Sequence, residues 1–269
     1  MTDLLGLPTL ASEHGAQVDG FILYVHVVMI VAFIGWGTWL VVSLVRFRQG
    51  RNPKADYHGL KTRLPYAAVA MMALVEFALL LGMAIPFWHN EINAMPESAE
   101  DVVELRVVGK QFQWMIHYPG ADGIFGRTDP SLIDEQINLL GLDSDDPASA
   151  DDITSLVLHI PVGKQILIGL STRDVIHSFS LPEFRVKQDA IPDMRIPVYF
   201  RPTMTTAEFR ELTGDENRDF EIACAQLCGV SHYTMRGRLV VQTQGEFEAW
   251  YEEELATKRE YEDDDWFGN

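Results

Sequence analysis

The densest chemistry in the chain sits in twelve residues, Cys224-Ala225-Gln226-Leu227-Cys228-Gly229-Val230-Ser231-His232-Tyr233-Thr234-Met235. Both cysteines of the protein fall here, with His232 four residues after Cys228 and Met235 three further on. Thiolate, imidazole and thioether together form a soft nitrogen and sulfur donor set, which suits copper. One cysteine with two histidines and a methionine would describe a mononuclear blue-copper site. Two thiolates on one loop change the count, because each can bridge two ions, leaving each ion to be completed by one imidazole and one weak ligand. A second imidazole is then needed, and His177 in Asp174-Val175-Ile176-His177-Ser178 follows a strand-like run that sandwich topology can bring beside Cys224. A bridged pair of this kind has no open position for substrate, so the chemistry is electron relay. The plain alternative is a small-loop disulfide, which leaves His232 and Met235 without a reason.

The elements that position such a loop divide the chain in two. Phe21 to Val45 contains no Lys, Arg, Asp or Glu, and Leu64 to Trp88 contains only Glu76 as a charged residue. Each run has about the 20 apolar residues a bilayer span needs. Neither reads as a signal peptide, since no Lys or Arg occurs in the first 45 residues and a basic leader is missing. Between the runs lie Arg46, Arg48, Arg51, Lys54, Lys61 and Arg63, which the positive-inside rule puts in the cytoplasm. Both termini then face outward. Glu76 within a span points to a neighbouring helix or a proton path, because a charge in lipid is costly. Pro96 and the polar residues of Asn90–Glu100 read as a linker.

Past residue 100 the period shortens. Val103, Leu105 and Val107 alternate with charged residues, and Leu156–Ile160, Gln165–Ser171, Arg195–Phe200 and Arg238–Gln242 behave alike. This predicts an all-β sandwich or barrel. Phe247, Trp250, Tyr251 and Leu255 fall at helical spacing and predict a C-terminal helix packed on it; the tail Glu260–Asn269 reads as loose. The expected organisation is a transmembrane hairpin in residues 1–95 and an outer-face domain in 96–269.

With 21 basic and 39 acidic residues the net charge is −18, which argues against a nucleic-acid partner. Nine acids lie between Ala121 and Thr154 against one base, Arg127. That segment, about 121–154, reads either as a solvated loop or as a negative docking face for a basic redox partner.

Five features in order carry a resemblance: the two-span hairpin, Gly109-Lys110-Gln111-Phe112-Gln113-Trp114, Asp174-Val175-Ile176-His177-Ser178, Lys187-Gln188-Asp189-Ala190-Ile191-Pro192, and Cys-x3-Cys-Gly-x2-His-x2-Met. Together they closely resemble subunit II of haem–copper cytochrome c oxidases, over nearly the whole chain outside the acidic insertion and the ends. The resemblance implies a cupredoxin-like sandwich with a binuclear CuA centre. Cys224 and Cys228 would bridge both coppers, His177 and Met235 would complete one, and His232 with the Gln226 carbonyl the other. The implied role is to take electrons from a c-type cytochrome and pass them to haem in subunit I, where oxygen is reduced and protons are pumped, in a bacterial plasma membrane. Asp174, with Asp122, would lie near the donor surface; the other role for Asp174 is a side-chain hydrogen bond that holds a turn.

Three positions depart from the family pattern. Gln226 stands where a glutamate usually reaches a magnesium ion at the subunit I interface, and an amide is a poorer ligand for that hard cation. Phe112 replaces the first of two tryptophans at which electrons enter, Trp114 matching the second. The acid early in the second span is missing, Glu76 lying too far along. The Phe112 pattern and the insertion are similar to oxidases that associate with an alternative complex III. Competing readings are a membrane-anchored copper chaperone, which would want a βαβ pattern and no Met235, and a quinol-oxidase-type subunit, which would lack the ligands.

Overall fold

The computed structural model describes residues 5–54, 57–59, 62–92 and 101–266; most of the expected linker Asn90–Glu100 lies outside the described residues. Two compact units emerge, Ala16–Ala94 and a second formed by Met1–Gly15 with Met95–Asn269.

The first unit is helical. Helix α1 (Gly15–Arg46) has 32 residues, about 48 Å at 1.5 Å per residue. The second helical run, Leu64–Asn90, has 27 residues. It starts as α2 (Leu64–Leu79) with Pro65 in its first turn, where the missing N–H is harmless. It passes through a π-helical turn (Leu80–Ala84), a short α3 (Ile85–Phe87) and a second π-helical turn (Trp88–Ile92). Both runs are long and apolar enough to cross a bilayer and contain the expected spans 21–45 and 64–88. Glu76 lies in α2 and is exposed in the isolated chain.

The second unit is a two-sheet sandwich. One sheet has the order β3-β2-β1-β5-β8, formed by β1 (Val102–Lys110), β2 (Gln113–Tyr118), β3 (Ile153–Ser155), β5 (Gln165–Thr172) and β8 (Ile196–Phe200). The other has the order β4-β10-β9-β6-β7, formed by β4 (Val157–Pro161), β6 (His177–Leu181), β7 (Val186–Ala190), β9 (Phe220–Cys224) and β10 (Arg236–Gln242). Alternation decides which side chains face inward: Leu105 and Val107 of β1, and Ile166, Ile168 and Leu170 of β5, are fully buried. They meet Phe179, Ile222 and Leu239 from the second sheet in one core. Each such side chain contributes roughly 1.5–3 kcal/mol by leaving water. Helix α4 (Thr206–Thr213) starts on a capping box, Thr205 with Glu208, and ends at Gly214 in the left-handed region.

Helix α5 (Gln244–Trp266) is the expected C-terminal helix. Phe247 and Leu255 are buried, Trp250 stacks on His159 with ring centroids 4.1 Å apart, and the Tyr251 hydroxyl donates to the Gly120 carbonyl at 2.7 Å. The helix runs to Trp266, so most of the segment expected to be loose, Glu260–Asn269, continues it; the backbone there has no glycine or proline to stop the turns before Gly268.

The strip before α1 belongs to the sandwich. The Ala11 amide donates to Glu183 O at 2.8 Å, Thr203 N donates to Ala11 O at 2.9 Å, and the Ser12 hydroxyl donates to Phe184 O at 2.6 Å. Ala11 is wholly buried. Ser12→Ala should therefore lower stability by about 1–2 kcal/mol, since Phe184 O is left buried and unpaired; a denaturant midpoint unchanged from wild type would show that the strip is not held this way.

The acidic insertion is folded, not a plain solvated loop. It lies on the outer face of the first sheet, and its own acids build it. Asp122 accepts from Ile124 N, Asp129 from Ser131 N, Asp134 from Gln136 N, Asp146 from Ala148 N, and Asp151 from Ala121 N and Asp122 N. These are side-chain turns, in which a short carboxylate replaces a backbone acceptor. Asp143 binds Arg127, and Glu135 binds Lys110 and Arg173. At the base of the insertion a fully buried pair joins it to the sheet: His117 Nε2 lies 2.6 Å from Asp152 Oδ2, which also accepts from Gly126 N at 2.8 Å.

Candidate metal centre

The loop from Cys224 to Met235 connects β9 to β10, which are adjacent antiparallel strands. Cys224 ends β9 and faces Phe179 of β6 in register. Since His177 opens β6, the pairing of β6 with β9 brings its imidazole to the loop across 47 residues of sequence. The Cys224 amide donates to Met235 O at 3.2 Å and closes the loop at its neck. The Ala225 amide donates to Ser178 O at 2.9 Å and ties it to β6.

The six expected donors converge. The two sulfurs are 3.8 Å apart, and Cys224 Sγ is 3.9 Å from His177 Nδ1 and 3.2 Å from Gln226 O. Cys228 Sγ is 3.6 Å from His232 Nδ1 and 3.7 Å from Met235 Sδ. Both imidazoles thus direct Nδ1 at sulfur, and one backbone carbonyl completes the ring of donors. His177, Cys228 and Met235 are buried, while Cys224 and His232 are partly covered. The donor atoms of His177, Cys224 and Cys228 lie within 4.8 Å of one another. Soft donors this close, without a disulfide between the thiols, fit a thiophilic ion such as copper.

The surroundings hold the donors in place. His177 Nε2 lies 2.8 Å from Asp174 Oδ1; a proton on Nε2 leaves the Nδ1 lone pair for metal. Asp174 is itself fixed by the Gln111 amide at 2.7 Å and the Val175 amide at 2.6 Å. Partial burial pushes its carboxyl upward, but those amide bonds and His177 outweigh it and the net pKa is lowered. Asp174 thus makes the turn-holding hydrogen bonds that one of its two expected roles requires. Gln111, within the segment Gly109–Trp114, also donates from Nε2 to Cys228 O at 2.5 Å. Nothing in a lone glutamine distinguishes it.

Two glycines make room. Gly229 has φ +146°, and a Cβ there would meet Gln111 Nε2 at 2.7 Å and the Phe112 ring at 3.0 Å. A Cβ on Gly109 would meet the His177 ring at 3.0 Å and Trp114 at 3.2 Å. Phe112, partly buried, lies over the loop. Trp114 is fully buried behind His177, ring centroids 5.9 Å apart; of the two aromatics only Phe112 reaches the surface. Asp122 caps a turn at the start of the insertion, and Gln226 is exposed. Leu227, Val230 and Tyr233 leave an apolar rim on the loop, each more than three-quarters exposed.

Burial, reinforced by neighbouring Cys224, pushes the Cys228 thiol up to about 11. Metal-free, Cys228 should keep most of its proton at pH 9 to 10, where an ordinary thiol is losing its own. Its alkylation rate should keep rising across that window; a plateau by pH 9 would contradict the burial seen here. Metal binding must displace this proton, so loading releases acid.

Comparison with known proteins gives a consistent picture. The family model described as cytochrome c oxidase subunit II, periplasmic domain, matches residues 103–243. The chain is similar to an alternative cytochrome c oxidase subunit 2 of Bradyrhizobium diazoefficiens, 30% identical over 218 residues, covering 80% of this chain and 72% of that one. It is similar to a cytochrome c oxidase subunit 2 of Thermostichus vulcanus, 32% identical over 226 residues; the match covers 82% of this chain but only 56% of that relative. Among solved structures, the periplasmic domain of subunit II of cytochrome oxidase of Bradyrhizobium japonicum aligns at 28% identity and TM-score 0.41, over 61% of this chain and 99% of that domain.

Proposed function

We propose, since the chain belongs to the cytochrome c oxidase subunit II family, that it is the electron-accepting subunit of a respiratory terminal oxidase and holds a binuclear copper centre. The observation that carries this reading is the convergence of two thiols, two imidazole Nδ1 atoms, one thioether and one carbonyl at a single loop. Cys224 and Cys228 would be the bridging ligands; His177, Met235, His232 and the carbonyl of Gln226 would complete the pair. Once bound, such a pair supplies one-electron redox chemistry with little change in geometry.

The chain's own residues do the rest. Asp174 fixes the tautomer and tilt of His177, and Gln111 fixes the Cys228 carbonyl, so the donors are pre-set before metal arrives. Buried Trp114, Phe179 and Met235 keep water from one side of the site. Of Phe112 and Trp114 only Phe112 reaches the surface, so electrons from a c-type cytochrome would enter there. The acidic insertion supplies a negative face to a basic donor. The exposed rim of Leu227, Val230 and Tyr233 suits an apolar partner surface, in our reading subunit I. A donor complex of the alternative complex III type fits the Phe112 pattern. Gln226 presents an amide, not a carboxylate, toward any magnesium at that interface.

The first strip of the chain supports the topology. Residues 11 and 12 are hydrogen-bonded into the sandwich, so two crossings in between return both ends to one side, which by the basic Arg46–Arg63 stretch would be the periplasmic face of a plasma membrane.

The deciding experiment is to purify the full chain in detergent, load it with copper, and measure metal per chain beside the visible spectrum. Two coppers per chain with a mixed-valence purple spectrum is the expected result. One copper, or none, would overturn the binuclear assignment.

A further inference from the structure

We infer that the cavity between the outer face of the first sheet and the acidic insertion binds a small inorganic oxyanion the size of phosphate. The cavity measures about 170 Å³; nearly half of its lining residues are apolar, and its polar side is formed by Arg106, Arg173, Arg195 and His117 with the hydroxyl residues Ser171, Thr172 and Thr128. That is below the roughly 300–1,000 Å³ of pockets for drug-sized ligands, so the occupant is small. It adjoins a wider groove that shares Arg173, Arg195 and Ser171, which gives an ion a way in.

Charge gives the sign of that occupant. The chain carries 39 acidic residues against 21 basic ones, yet three guanidinium groups meet at this cavity. Two of the lining groups already have partners: Arg173 pairs with Glu135 and donates to Leu139 O at 2.8 Å, and His117 is hydrogen-bonded to Asp152. Among the described residues Arg106 and Arg195 have no carboxylate within ion-pair distance. Their stems lie side by side over Gly169, where an added Cβ would meet Arg195 Cδ at 3.2 Å and Arg106 Cγ at 3.5 Å. Gly169 is thus the gap that lets two like charges approach. Arg106 is further held by the Phe125 ring, 3.9 Å from its guanidinium carbon. Burial and then the Arg195 charge push the Arg106 pKa down, and the more distant carboxylates of Glu104 and Asp152 offset this only in part. A tetrahedral oxyanion meets this need, because guanidinium forks bind its oxygens in pairs and a serine hydroxyl can donate to a third. An apolar occupant would add no partner for the half-buried Arg106 guanidinium.

None of the six copper-loop donors lines the cavity, although Gln111 and Asp174, which support those donors, line its entrance groove. Inorganic phosphate would be titrated calorimetrically into the full chain in detergent at low chloride. Saturable one-to-one binding is expected. Arg106→Gln and Arg195→Gln should each weaken it by roughly tenfold or more, the scale of a lost charged hydrogen bond. Lys187→Gln, exposed on the other sheet, should leave it unchanged. Absence of saturable binding at millimolar phosphate, or equal affinity in Arg195→Gln and Lys187→Gln, would overturn the site. Arg195 is exposed, so its variant will fold even if Arg106→Gln does not. Phosphoserine in a parallel titration separates a free ion from a phosphoryl group on a chain; binding tighter than phosphate would overturn the free-ion assignment.

Discussion

Cys224→Ser is expected to reduce copper from two ions per chain to at most one and to erase the mixed-valence spectrum. Serine replaces a soft, readily ionised bridging atom with a hard hydroxyl that copper does not favour. The remaining soft donors around Cys228, namely His232, Met235 and at one remove His177, can still hold a single ion. The fold should survive, because Cys224 is only partly buried at the end of β9 and its backbone bonds to Met235 and Ala225's to Ser178 do not use the thiol. Electron delivery to the partner subunit should fall by more than the roughly 10–100-fold that altering an outer hydrogen-bond partner costs. Asp174→Ala supplies that smaller scale within the same protein, since it frees His177 without removing a donor. Metal analysis with a thermal melt decides the case: two coppers in a folded Cys224→Ser protein would mean that the thiols do not bridge.

The largest stability effect should come from outside the metal loop. Asp152→Ala is expected to cost about 3–5 kcal/mol, the usual scale for removing one member of a buried pair. His117 and Asp152 are each about 1% exposed, and Asp152 also serves the Gly126 amide. Truncation leaves an imidazole and an N–H buried without an acceptor. One position earlier, Asp151→Asn should cost far less, because an amide oxygen can still accept from Ala121 N and Asp122 N at the surface. Chemical denaturation followed by tryptophan fluorescence compares the two. Equal midpoints would show that the buried pair carries no special weight.

Much of the fold is readable from period and charge. Alternation in β1, β5 and β10 and helical spacing at Phe247, Trp250, Tyr251 and Leu255 depend on local burial, which one sequence shows directly. Strand β6, His177-Ser178-Phe179-Ser180-Leu181, was not legible as a strand, because His177 and Ser178 are buried polar residues that break the alternation. Those same residues hold the site, so function disturbs the pattern where it matters most. The ligand types were legible from their chemistry. Their supports were not: Gln111, Gly109 and Gly229 act through distances between β1, β6 and the loop that no local spacing encodes. The acids of the insertion were legible as charge, but their use as turn acceptors depends on backbone amides two residues away. Arg106 and Arg195 were likewise scattered in sequence and meet only through the pairing of β1, β5 and β8.

The strip around Ala11 and Ser12 has a bearing on how the protein is made. It is synthesised well before its hydrogen-bond partners, Glu183, Phe184 and Thr203, which lie more than 170 residues further along the chain. It must wait, unpaired and on the same side of any membrane, until nearly the whole sandwich has been synthesised. Closing so long a loop is slow, so the strip would be the last piece to lock into the sandwich. A fusion placed ahead of it would obstruct assembly late, after the chain is otherwise built.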